Sequence, residues 1–167
     1  MEYISAEHQK SVSQTYRTAA IIVLAFCITV FVFMLVAKFL TPSEVMPGSE
    51  SWMQPVYSGV IVLGLVVVIL RRILLSNMVM GKAARRGVGH VLKNLMDMTI
   101  LCCVLSELVA IAGLALYLMT GDFQYSWRLS VVSLFLLIYT FPRRGEWERA
   151  IAFSAKMQSG NTAQPVR

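Results

Sequence analysis

Charge is scarce in this chain. Charged residues make up 14% of the sequence and hydrophobic ones 57%, with a mean hydropathy of +0.66. A soluble domain carries about 25% charged residues, so this balance argues against a soluble fold and points to the bilayer as solvent. Histidine and cysteine are also sparse. His8 and His90 lie outside the apolar runs, so a haem held between spanning helices would lack axial ligands. Cys27, Cys102 and Cys103 lie inside those runs. They are too few for a disulfide framework or a four-ligand zinc site, and read as small packing residues. No metal or cofactor is expected. Nor does the chain offer a Ser/His/Asp set or a phosphate loop. Asp97 and Glu107 stand more than two helical turns apart, too far to work as an acid–base pair. An enzyme is therefore not expected.

What is present is a set of long apolar runs. Four helical spans are predicted, at about 19–40, 55–75, 95–119 and 123–141, each near the roughly 20 residues a crossing needs. The runs lack strand alternation and are too long for barrel strands. The expected fold is all-α, a polytopic membrane protein with four transmembrane helices forming one domain over 19–142. The first run reads as an uncleaved anchor. Pro55 is expected at the first helical position of the second. Gly121 should close the third, with Asp122 capping the fourth and Pro142 ending it.

Topology follows from the basic residues. The net charge of +6 would suggest nucleic acid in a soluble protein, but here the cations flank apolar runs. Lys10 and Arg17 precede the first span. Arg71, Arg72, Lys82, Arg85, Arg86 and Lys93 lie between the second and third. Arg143, Arg144, Arg149, Lys156 and Arg167 follow the fourth. Thirteen of the fifteen Lys and Arg thus share one side, leaving Lys38 and Arg128 opposite. The positive-inside rule then places the 1–18 segment, the central loop and the 143–167 tail in the cytoplasm. A bacterial-type inner (plasma) membrane is the expected location. Lys82, Arg85, Arg86, Arg143 and Arg144 are expected at anionic lipid headgroups. The outer loop Thr41–Gln54 reads as irregular. In the tail, Glu146–Met157 is expected to be an interfacial helix with Trp147, Ile151 and Phe153 toward lipid, followed by disorder from Gln158. Asp97 is expected to pair with Arg71 or Arg72, which a symmetric hairpin of the second and third spans would bring to one depth.

The most informative residue is Glu107, within the otherwise apolar run Met98–Met119. An acid at mid-bilayer costs roughly 2.5–3.5 kcal/mol on insertion scales, so it is seldom retained without a use. Thr99, Cys103, Ser106, Ala110 and Gly113 form a small-residue stripe at helical spacing, the kind that lets helices approach closely in lipid. Glu107 borders that stripe and is expected to face a helix–helix seam. In a symmetric hairpin Ile61, flanked by the packing glycines Gly59 and Gly64, falls at its depth, as do Thr29 and Ser133. None is cationic, so Glu107 is expected to carry its proton and donate a hydrogen bond to a carbonyl or hydroxyl.

Glu107, Ala110-Ile111 and Gly113-Leu114 read E-x-x-A-I-x-G-L. This resembles the carboxylate helix of the c subunit (proteolipid) of rotary ATP synthases and related ion-pumping ATPases. The resemblance implies that Glu107 binds the translocated proton or sodium ion, and that the loop joining the second and third spans is cytoplasmic. It implies a membrane-protein partner or a homo-oligomer, with the chain a subunit of, or accessory to, an ion-translocating complex. The alternative from the residues alone is a non-catalytic assembly protein in which Glu107 only fixes helix packing.

Overall fold

The computed structural model describes residues 6–40, 50–74 and 88–162, and these are helical almost throughout, without strands. Five helices follow in order: α1 Ala6–Phe39, α2 Glu50–Leu74, α3 Val88–Thr120, α4 Phe123–Thr140 and α5 Arg144–Thr162. Three of them (Ser11–Phe39 of α1, Gln54–Ile73 of α2, and α3) are long and apolar enough to cross a membrane. The fourth expected span corresponds to α4. Its 18 residues include Gln124, Arg128 and three serines, which lower its hydropathy below that of the other three.

The helices are longer than the apolar runs alone indicate. α1 has 34 residues and α3 has 33, each roughly 50 Å at 1.5 Å per residue. Hydropathy marks only the segment that fits the hydrocarbon, whereas a helix continues until a cap or breaker ends it. α2 likewise begins at Glu50, so Pro55 falls inside the helix instead of at its first position. The expected punctuation between α3 and α4 is present. Gly121 adopts φ 73°, a left-handed turn conformation that glycine takes without a Cβ penalty. Asp122 Oδ1 then accepts the Gln124 N–H at 2.9 Å and caps α4.

α3 is the central element and packs against all four other helices, while α1 and α2 do not touch each other. One flank of α3 presents Cys102, Val109 and Leu116 to Val60 and Val67 of α2 and to Leu129 and Leu136 of α4. The other presents Cys103 and Ala110 to Val23 and Val30 of α1 and to Leu137 of α4. At the end holding both chain-terminal segments, Ala19 of α1, Val91, Leu92 and Leu95 of α3, and Trp147 and Ile151 of α5 form a third cluster.

α5 departs from the expectation of a helix lying in lipid. Trp147 and Ile151 are 3% and 1% exposed, and the Trp147 ring meets Tyr16 edge-on at 6.1 Å. The overhanging N-terminal turns of α1 and α3 supply the apolar surface that takes them up. Helix continues to Thr162, through part of the segment expected to be disordered. The side chain of Phe153 lies outside the described ones.

The small-residue stripe packs against α4 at Gly113 and Ser106 and against α1 and α4 at Cys103 and Ala110, while α2 takes the neighbouring flank. A Cβ on Gly113 would meet Leu129 Cβ at 2.8 Å and the Tyr125 carbonyl at 3.4 Å. A Cβ on Gly64 would meet Leu136 of α4 at 3.4 Å, and one on Gly59 would meet nothing within 4 Å. Gly113→Ala is therefore expected to destabilise the protein by about 1–3 kcal/mol, the usual range for overpacking. Gly59→Ala should be neutral, or stabilising by up to about 1 kcal/mol through helix propensity. Thermal unfolding of the two variants in one detergent checks this, and equal midpoints would contradict the assigned seam.

Candidate functional site

Glu107 lies at the edge of the α1–α3 seam. Its helical neighbours Cys103 and Ala110 are buried against α1, whereas Val104 and Ile111, one turn away on its other side, are 41% and 42% exposed. The carboxylate is half-buried between them. Among the described residues it makes no hydrogen bond to another side chain or to the backbone, and no ion pair. The sequence supplies no cation at this level either. Lys, Arg and His are absent from 18–37 of α1, 55–70 of α2 and the 129–142 stretch that holds most of α4.

The partners expected at its depth are turned elsewhere. Ile61 is 46% exposed, because α2 packs on the opposite flank of α3. Thr29 Oγ1 donates to the Ala25 carbonyl of its own helix at 3.1 Å. Ser133 Oγ donates to the Ser106 carbonyl at 2.6 Å, while Ser106 Oγ donates to the Cys102 carbonyl at 2.8 Å. The buried α3–α4 hydrogen bond at this level is thus made by serine, one residue away from the carboxylate. Thr99, the remaining polar member of the stripe, donates to the Leu95 carbonyl at 2.8 Å.

α4 matches the stripe of α3 with one of its own. Ser126, Ser130, Ser133, Leu137 and Thr140 recur at helical spacing and are all buried. The hydroxyls of Ser126, Ser130 and Thr140 have no partner among the described residues. This face was legible in the spacing, but the apolar residues between the serines dominate a hydropathy reading.

The expected ion pair at the terminal-segment end has a different acid. Arg71 Nη2 lies 3.4 Å from Glu146 Oε2 and donates to the Phe141 carbonyl at 3.4 Å, with the guanidinium 4.6 Å from the centre of the Tyr139 ring. Asp97 is exposed and forms no ion pair among the described residues. It points away from the buried stripe of α3, roughly half a turn from Thr99's side of the helix, so matching its depth to Arg71 does not bring the two together. Arg72 is exposed. Beside the Arg71–Glu146 pair is a cavity of about 30 Å³, lined in part by Asn94, Thr99, Thr140 and Trp147. It has room for water, and its lining includes Thr140, whose hydroxyl has no partner among the described residues.

Of the headgroup cations, Arg143 is exposed, and Arg144 Nε is bound to Glu148 Oε1 at 2.8 Å in an exposed pair within α5. Lys82, Arg85 and Arg86 lie outside the described residues. Among the described residues no group of three His, Cys, Asp or Glu is placed to hold a metal ion. No family model, curated protein or solved structure matches this chain.

Among the described residues, Arg71–Glu146 is the one ion pair linking α2 to the α4–α5 corner. A double-mutant cycle with Arg71→Met and Glu146→Gln should give a coupling of about 1 kcal/mol or less, since Glu146 is a third exposed. Arg71→Met paired with Asp97→Asn should give none. Coupling to Asp97 instead would restore the hairpin pairing and displace the one described here.

Proposed function

We propose that this chain is an integral membrane protein whose four helices α1–α4 all cross the bilayer, with both termini on the cytoplasmic side of a bacterial-type inner membrane. Glu107 is its functional residue, a carboxylate that binds and releases a proton or coordinates a small cation while engaged with a partner subunit or a second copy. The membrane reading rests on the three long apolar helices and the thirteen-to-two division of basic residues. α4 joins them because its serines turn inward onto α3, while Val131, Phe135 and Ile138 face outward at 44%, 67% and 68% exposure. A helix with that division of faces is compatible with lipid despite its modest hydropathy.

One observation carries the role given to Glu107. A carboxylate kept only to hold helices in register would make the interhelical hydrogen bond at its level, and here Ser133 makes that bond. Glu107 stands beside it, half-buried and unengaged. Its insertion cost is therefore not offset by a hydrogen bond or ion pair among the described residues. A group free of internal partners is available to an ion or to a second protein.

The test combines labelling with exchange of the side chain. A membrane-permeant carbodiimide should modify Glu107 in native membranes, and Glu107→Gln should abolish the labelling while leaving thermal stability within about 0.5 kcal/mol, as for substitutions away from structural contacts. Sodium should slow the labelling if the bound ion is sodium rather than a proton. The same variant should remove ion flux or complex-dependent growth. Wild-type flux and growth with Glu107→Gln would eliminate ion binding and leave the assembly role.

A further inference from the structure

The end of the bundle opposite the terminal segments carries a groove that neither Glu107 nor the Arg71 cluster uses. It lies between α1 and α4, has a volume of about 560 Å³, and is lined by Phe31, Leu35 and Lys38 of α1 and Phe123 and Trp127 of α4, among others. Phe31, Leu35 and Lys38 fall at i, i+4 and i+7, so they follow one face of α1 with the cation at the far end. Leu35 and Phe31 are 56% and 54% exposed, and Trp127 is 50% exposed.

The two cations on this side differ in their surroundings. Arg128 is held by Gln124, its Nη2 donating to Oε1 at 2.8 Å. Lys38 forms no ion pair among the described residues. Asp122, an acid at this end whose side chain is described, is committed to capping α4. Lys38 stands at the level of Tyr117, Phe123 and Trp127, and aromatic residues concentrated at one end of spanning helices mark headgroup depth. An ammonium with no ion pair among the described residues, at that depth and above an open apolar channel, matches a phosphate joined to an acyl chain.

We propose that this groove is a binding site for one anionic phospholipid of the outer leaflet. Its phosphate accepts hydrogen bonds from Lys38 Nζ, its glycerol region rests against Trp127, and an acyl chain descends along Leu35 and Phe31. The site rests on the membrane reading above but not on the role of Glu107. A partner helix would fill the apolar channel equally well, but it gives no reason for a lysine at the rim that forms no ion pair among the described residues.

Native mass spectrometry of the full chain, extracted in mild detergent and exposed to equal phosphatidylglycerol and phosphatidylcholine, reads the preference directly. Wild type should retain phosphatidylglycerol preferentially. Lys38→Gln should lower that preference about fivefold, the effect of one lysine at a charged membrane surface. Leu35→Trp should reduce retention of both lipids by obstructing the channel, and Arg128→Gln should change neither. A photo-crosslinker placed at Leu35 should capture lipid. Capture of a second polypeptide, equal losses in Lys38→Gln and Arg128→Gln, or no lipid preference in wild type would each overturn the site. Resistance of the chain to alkaline extraction from membranes separates these outcomes from a failure of the membrane reading itself.

Discussion

At Gly113 the backbone of α3 approaches α4 so closely that one added carbon would sit 2.8 Å from Leu129 Cβ. Two turns away, Ser133 reaches across the same seam to the Ser106 carbonyl at 2.6 Å. Lipid tails are as apolar as leucine, so helices in a bilayer associate through close packing and hydrogen bonds, not hydrophobic burial. Small residues on both faces satisfy that requirement here. The other elements take their positions from the resulting pair, with α1 and α2 docking on opposite flanks and α5 closing the end that carries the first turns of α1 and α3.

This arrangement determines what is left for Glu107. The seam uses its own serines for hydrogen bonding, and α2 occupies the flank of α3 away from the carboxylate. α1 occupies the near flank and presents Val23, Cys27 and Val30 there, none of them a cation. The carboxylate is consequently shielded on one side by α1 and open on the other, next to exposed Val104 and Ile111. Such a position limits contact with water without supplying a fixed counter-charge among the described residues, as the proposed exchange of an ion requires.

Much of the fold was legible in the sequence where a single physical rule governs. Apolar runs marked α1, α2 and α3, and Gly121 and Asp122 marked the turn into α4 through left-handed geometry and capping. The small-residue stripe of α3 was legible too, but its partner was not. Residues 88–120 carry the stripe whichever helix packs on it, and the choice of α4 over α2 depends on Leu129 and the buried serines meeting it in three dimensions. Arg71 illustrates the same limit. Depth along a hairpin placed it near Asp97, yet rotation about the α3 axis turned Asp97 outward, and the burial of Trp147 brought Glu146 within reach instead. Hydropathy reports depth and leaves azimuth open, and both differences lie in azimuth.

The central claim is that Glu107 is unengaged inside the chain and takes up a proton or ion reversibly. Infrared difference spectroscopy of the protein in lipid, recorded while the bath pH is switched, addresses it without assuming any partner or flux. A carboxylic-acid carbonyl band should appear and vanish with the switch in wild type and be missing in Glu107→Gln. A wild-type spectrum with no such band, or one that persists unchanged in Glu107→Gln, would contradict the account.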